Sequence, residues 1–256
     1  MSKSIWERHY YRNKDIDFLM NNKIIEYDIK SAGLSLAKEF KYLNINIINK
    51  LEDMSKSERN RMMGIMKINN KQLVKNENEA LIEARKKFIK INEIDIEDII
   101  SIKKDAIFVH KSCRELKFGE IEFVPKNVYS SYMMINNIEF YYNKNQLDIK
   151  GINDDLLKLH DGYMLSFFKK FMCLYEVGRT NELIDFLTGF VYKYKTRDLN
   201  KEYYREFNAL SMFKLNTETS FGTEYLIKYI DDENFDGVNI GYNFFKYLIP
   251  LTVMLI

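Results

Sequence analysis

The sequence predicts an α+β fold: an antiparallel sheet with packed helices, followed from about residue 154 by a mostly helical region. Three observations predict it. Apolar and polar residues alternate in short segments such as "KIIEYDI" (23–29), the period of a half-buried strand. Apolar residues recur at helical spacing in "NEALIEARKKFIKIN" (78–92), with basic residues on the other side. Beyond about 154 the alternation gives way to long helical stripes. An order of strand, helices, strand, hairpins and helices describes an α+β domain followed by a smaller helical one.

Each element has its own local reason. The strand over 23–29 puts Ile25, Tyr27 and Ile29 on one face and Ile24, Glu26 and Asp28 on the other. "SLAKEFKYLNINIINKLEDM" (35–54) is helix-prone, with Leu36, Phe40 and Leu43 at helical spacing. A second helix is predicted over 55–68, capped by Ser55 or Ser57. A third carries Leu81, Ala84, Phe88 and Ile91 on one stripe, with Asn78 as its cap. A strand over 99–109 follows, with Asp105 in its middle. The segments "EIEFVP", "VYSSYMM", "IEFYYN" and "LDIKGI", separated by turn-like "NN" and "NKNQ", predict antiparallel hairpins. "DDLLKLHDGYMLSFFKKFMCLYEVG" (154–178) reads as a helix with Leu156, Leu159, Phe167, Phe171 and Leu174 inward and Gly178 as its stop. "TNELIDFLTGFVYKYK" (180–195) reads as another.

Composition narrows the class. With 256 residues, 46% of them apolar and 30% charged, the chain can bury a substantial core and leave a solvated surface. Cys113 and Cys173 lie far apart without a CxxC pair, which argues against zinc or a disulfide framework and fits buried thiols in a reducing compartment. The charged opening "MSKSIWERHYYRNKD" predicts no secretory or transit segment, and a cytoplasmic location in the host cell is expected. The apolar stretch from Lys246 to Ile256 is about half a membrane span and is expected to dock on the core or on another subunit, so no membrane partner is predicted. Net charge is only +2, yet residues 54–90 hold ten Lys/Arg against four Glu, while "DDENFD" (231–236) is acidic. The basic stretch fits phosphate binding, and equally a solvated helix face.

His9, His110 and His160 are scattered without ligand spacing, and no Walker loop, GxSxG elbow or HExxH helix occurs. Trp6, His9, Tyr10 and Tyr11 could stack on bases or pack on the core, as could Tyr129, Tyr132, Tyr141 and Tyr142 in the hairpins.

Two aspartates carry the chemistry. Asp28 and Asp105 each sit in a β-like segment and could face one another across an antiparallel sheet. A carboxylate in an apolar strand needs compensation. A divalent cation supplies it, since hard cations take oxygen ligands and share them with phosphates. Spacing alone leaves open a turn cap for one aspartate and a buried ion pair for the other.

Context around these residues adds a resemblance. "YDIKSAGLSL" (27–36) resembles motif A of the family B DNA polymerases, with Asp28, Ser31, Ala32, Gly33, Leu34, Ser35 and Leu36 at the matching positions. "KKDAIFV" (103–109) resembles their motif C, with Asp105 on its second aspartate and Ile107, Phe108 and Val109 on its apolar tail. "KSERNRMMG" (56–64) places Lys56, Asn60 and Gly64 at motif B spacing. "KNVY" (126–129) is similar to the Lys-and-Tyr motif that touches the primer, and "LDIKGI" (147–152) to the Lys-Gly stretch before the thumb. The resemblance covers about residues 23–152.

The resemblance implies a palm-like domain over 1–153 with fingers reduced to about 36–75, and a thumb-like helical region over 154–256. It implies that Asp28 and Asp105 hold two Mg²⁺ (or Mn²⁺) ions, that Lys56 and Asn60 meet the triphosphate beside Ser31 and Gly33, and that Lys126, Tyr129 and Lys150 track nucleic acid. The implied reaction is template-directed or end-extending nucleotidyl transfer, as in a primase or compact RNA polymerase. The implied source is a phage, virus or other mobile element, with a protein partner in a replication or transcription complex. The sequence departs from the pattern at Lys103 (motif C's first Asp), Ala106 (its Ser), Arg61 and Met63 (motif B's Ser and Tyr) and Gly33 (motif A's Tyr). Gly33 opens room for a ribose hydroxyl if the site is active. The departures fit equally a catalytically inactive palm-derived module that binds nucleic acid or protein. A nuclease using the same aspartates is a third reading, with Glu26 as the nearby extra carboxylate.

Overall fold

The computed structural model describes residues 5–135, 138–144, 146–151, 163–196 and 198. The expectations for residues 154–162, for His160, for the acidic stretch 231–236 and for the apolar stretch ending at Ile256 lie outside them. The chain is a mixed α+β protein with antiparallel sheets, as predicted. It divides into two compact units. The first joins the described residues up to Ile16 with Asn22–Tyr129, and the second joins Asp17–Asn21 with the described residues from Ser130 onward.

The first unit is built on strands β1 (Tyr10–Arg12), β3 (Ile24–Ile29), β4 (Ile99–Lys103), β5 (Ala106–Val109), β6 (Lys117–Phe118) and β7 (Ile121–Tyr129), in the spatial order β1-β4-β5-β3-β7-β6. Helices α1 (Ala32–Phe40), α2 (Ile45–Glu52), α3 (Lys56–Ile68) and α4 (Lys71–Ile91) lie between β3 and β4 in the chain. The predicted face of β3 enters the core: Ile25, Tyr27 and Ile29 pack with Leu36 of α1 and Ala80, Leu81, Ala84 and Phe88 of α4. Phe88 stacks on Phe123 with ring centroids 4.0 Å apart. Truncating a ring so enclosed typically costs about 3–5 kcal/mol.

Three local expectations change. The helix-prone stretch 35–54 is two helices, because Lys41 takes a left-handed conformation (φ 51°) and Asn44 caps α2 by accepting from Asn46 N–H. Asn78 is not a cap, since α4 already starts at Lys71 under Asn70, whose side chain accepts from Leu73 N–H. The strand predicted over 99–109 is a hairpin: Lys103 pairs with Ala106, and Lys104 and Asp105 form the turn. Three consecutive charged residues interrupt the apolar alternation there, and Lys104 supplies the positive φ (55°) that the reversal needs.

In the second unit, β2 (Phe18–Leu19), β8 (Ser131–Ile135), β9 (Ile138–Asn143) and β10 (Gln146–Lys150) form a sheet in the order β10-β9-β8-β2. It is accompanied by α5 (Tyr163–Glu176) and α6 (Thr180–Lys195). Its core is aromatic: Phe140 meets Phe168 at 4.8 Å and Phe167 meets Phe190 at 4.6 Å between centroids. The predicted hairpins are therefore present among the described residues, and Tyr132, Tyr141 and Tyr142 are buried in this sheet. Cys113 is half-buried, but Cys173 is exposed, against the expectation of a buried thiol. Among the described residues no helix is long and apolar enough to cross a membrane.

Candidate active site

Antiparallel pairing of β3 with β5 brings the two aspartates together. Asp28, at the end of β3, is opposite Ala106, and Asp105 is the residue just before Ala106 in the turn. The chain then leaves β3 through Ser31, whose left-handed backbone (φ 51°) starts α1 and whose carbonyl accepts from Leu34 and Ser35 N–H. Gly33 follows in the first turn, with its carbonyl held by the Tyr42 hydroxyl at 3.2 Å. Across from them stands α3, fixed by a capping box in which Ser55 and Glu58 satisfy each other's backbone N–H groups. Its Lys56 and Asn60 are four residues apart and so share a face.

These residues line one cleft of about 670 Å³: Asp28, Asp105, Ser31, Gly33, Lys56 and Asn60 all border it. Three further cations, Arg59, Lys67 and Lys104, join Lys56 to make its wall basic. Sequence reasoning missed Arg59, Lys67 and Lys104 as site residues. Helical periodicity from Lys56 through Asn60 to Lys67 was a usable signal for one of them. Lys67 is tied to Glu77 at 2.6 Å, and Glu77 together with burial raises the Tyr42 pKa, with burial the larger cause. The space that Gly33 leaves is partly taken: a Cβ there would stand 3.4 Å from Met63 Cε.

The carboxylates are electrostatically uneasy. Burial, and then the charge of Asp28, push the Asp105 pKa up, while its own backbone N–H, Lys126 and Lys104 pull it back. Asp28 Oδ1 is buried without a hydrogen-bond partner. Lys126 Nζ lies 3.3 Å from Asp28 Oδ2 and 3.6 Å from Glu26 Oε1. Beneath the Asp105 turn, the fully buried Arg85 donates from Nη1 to the Lys104 carbonyl at 3.0 Å. Burial lowers its guanidinium pKa to about 10, and Asp105 opposes that shift.

Not every predicted residue joins the cleft. Lys126 reaches Asp28 and Glu26 from β7 and is engaged by their carboxylates. Tyr129 is 1% exposed, with its hydroxyl 3.3 Å from Glu26 Oε2, so its side chain faces the interior. Lys150 belongs to the second unit, where it pairs with Glu139 in the β9–β10 ladder. Of the N-terminal aromatics, Trp6 and Tyr11 pack on the core, while His9 and Tyr10 border the cleft.

Among the described residues no group of three or more His, Cys, Asp or Glu is placed to hold a metal ion. The pair that exists still fits a hard cation. Asp28 offers an unpartnered oxygen, and Asp105 carries a charge that burial and its neighbour disfavour, which a divalent ion would relieve. The remaining ligands would come from water and phosphate.

A family model described as the bacteriophage PBS1 gene 130 protein matches residues 1–253. The chain belongs to that family. A search of curated proteins finds no match. The family sets the chain among bacteriophage proteins, as the mobile-element reading expects, and its description names no reaction.

Proposed function

We propose that this family member is a nucleotidyltransferase of the polymerase-palm kind, joining nucleotides to a 3′-hydroxyl end. One observation carries the proposal: six residues picked from separate sequence segments by motif resemblance line a single basic cleft. Its volume, about 670 Å³, falls in the range of small-molecule sites.

In this reading Lys56, Arg59 and Lys67 receive the triphosphate, and Asn60 and Ser31 orient it. Asp28 and Asp105 hold Mg²⁺ (or Mn²⁺), which when bound neutralises phosphate charge and favours the ionised 3′-hydroxyl. The hydroxyl oxygen forms its bond to the α-phosphorus as the bond to pyrophosphate breaks, and the basic wall stabilises the leaving charge. Ribonucleotides fit over Gly33 when Met63 moves its flexible thioether aside. Nucleic acid, nucleoside triphosphates and a replication or transcription protein in the host cytoplasm are the proposed partners.

A second reading, a non-catalytic palm-derived module that binds nucleic acid or protein, is favoured by Lys126 beside Asp28 and by the small number of carboxylates. Calorimetry with ATP and dATP in Mg²⁺ separates the two. The catalytic reading expects binding that needs Mg²⁺, is abolished in Asp105→Asn and weakens about ten-fold in Lys56→Ala. Nucleic-acid binding that is indifferent to Asp105→Asn, without triphosphate binding, favours the module.

A further inference from the structure

The β7 strand does not run straight past the aspartates. Glu26 is opposite Asn127, but the next residue, Tyr27, is opposite Pro125, so Lys126 has no partner in the register. A bulge of this kind re-aims the side chain it carries. Here it brings the ammonium to Asp28 and Glu26 at 3.3 and 3.6 Å, although the side chain as a whole is 54% exposed.

The two carboxylates that receive it are not equivalent. Glu26 has a side chain 4% exposed and is fixed at Oε2 by Asn127 Nδ2 at 2.6 Å and the Tyr129 hydroxyl at 3.3 Å. A carboxylate so buried is costly without a counter-charge, and Lys126 supplies it through Oε1. Asp28 lines the cleft, holds Lys126 only through Oδ2 and keeps Oδ1 unpartnered.

We propose that Lys126 is a built-in counter-ion of the cation site, seated between Glu26 and Asp28, which a divalent ion must displace toward Glu26 to occupy Asp28 and Asp105. This rests on the reading of Asp28 and Asp105 as the cation site. Lys126 already engages Asp28 Oδ2, so a divalent ion entering between Asp28 and Asp105 competes with the ammonium for that oxygen. The ion's arrival repels the ammonium, and Glu26 is the seat to which Lys126 withdraws without losing its counter-charge. Lys126 thereby sets the concentration at which the ion binds and offsets part of the Asp28 charge before substrate arrives.

The test is Mn²⁺ titration of the full chain, read by the electron paramagnetic resonance of free Mn²⁺, which requires no turnover. Lys126→Met is expected to bind Mn²⁺ about ten-fold more tightly than wild type, and Lys126→Arg, which keeps the charge, to bind like wild type. Glu26→Gln, which removes the seat for withdrawal, is expected to bind more weakly. Asp28→Asn identifies the site by abolishing binding. Mn²⁺ bound by Lys126→Met and not by wild type supports the proposal and the non-catalytic reading together. Equal or weaker binding by Lys126→Met, with Asp28→Asn still abolishing it, overturns the counter-ion and leaves the cation site standing. No Mn²⁺ binding by either wild type or Lys126→Met overturns both.

Discussion

Asp105 shows at the scale of one residue how a carboxylate survives beside an apolar sheet. It occupies a turn and not a strand interior, with Lys104 next to it and Arg85 beneath. Burial and Asp28 still raise its pKa above the ordinary 3.8. The folded protein therefore holds that proton more tightly than the unfolded chain. Its contribution to stability is full below pH 3.8 and is lost as pH rises through the raised folded value. Asp105→Asn, which cannot ionise, is expected to escape this loss. Thermal melts from pH 3.5 to about 7 should show the variant gaining on wild type as pH rises, with a higher melting temperature at neutrality and no cation binding. A melting temperature at neutrality below that of wild type would contradict this account. Asp28, Ser31, Gly33, Lys56 and Asn60 were legible because short motifs fix their spacing. The site of Lys126 was not, because a register shift between β3 and β7 aims it and no local pattern encodes that shift.

At the scale of elements, α3 carries the basic wall of the cleft, and its start was readable from a Ser three residues before a Glu. Ser55 and Glu58 form the capping box just before Lys56. Ser55→Ala is expected to cost about 1 kcal/mol of stability. It should also weaken triphosphate binding through a less ordered first turn, measured by denaturant unfolding alongside calorimetry. Unchanged stability would mean that α3 is held by packing alone. Other boundaries were less legible. The α1–α2 break depends on a left-handed Lys41, a conformation no lysine advertises. The β4–β5 turn was hidden by reading Asp105 as a strand residue, although the run Lys103–Lys104–Asp105 breaks the period.

Across the whole molecule, the α+β class and the antiparallel sheets were readable from alternation and helical stripes. The insertion of β2 into the second unit was not, since two residues carry no period. Nor was the grouping of β8–β10 with that unit, which depends on pairings distant in sequence. The cleft around Asp28 and Asp105 is proposed to transfer nucleotides. Primer extension with labelled ribo- and deoxyribonucleoside triphosphates, in Mg²⁺ and in Mn²⁺, tests it most directly. Wild type is predicted to extend the primer and Asp28→Asn and Asp105→Asn to yield no product, with the preferred sugar reporting on Gly33 and Met63. Extension undiminished in either variant, or none by wild type on any primer or template, would contradict the claim.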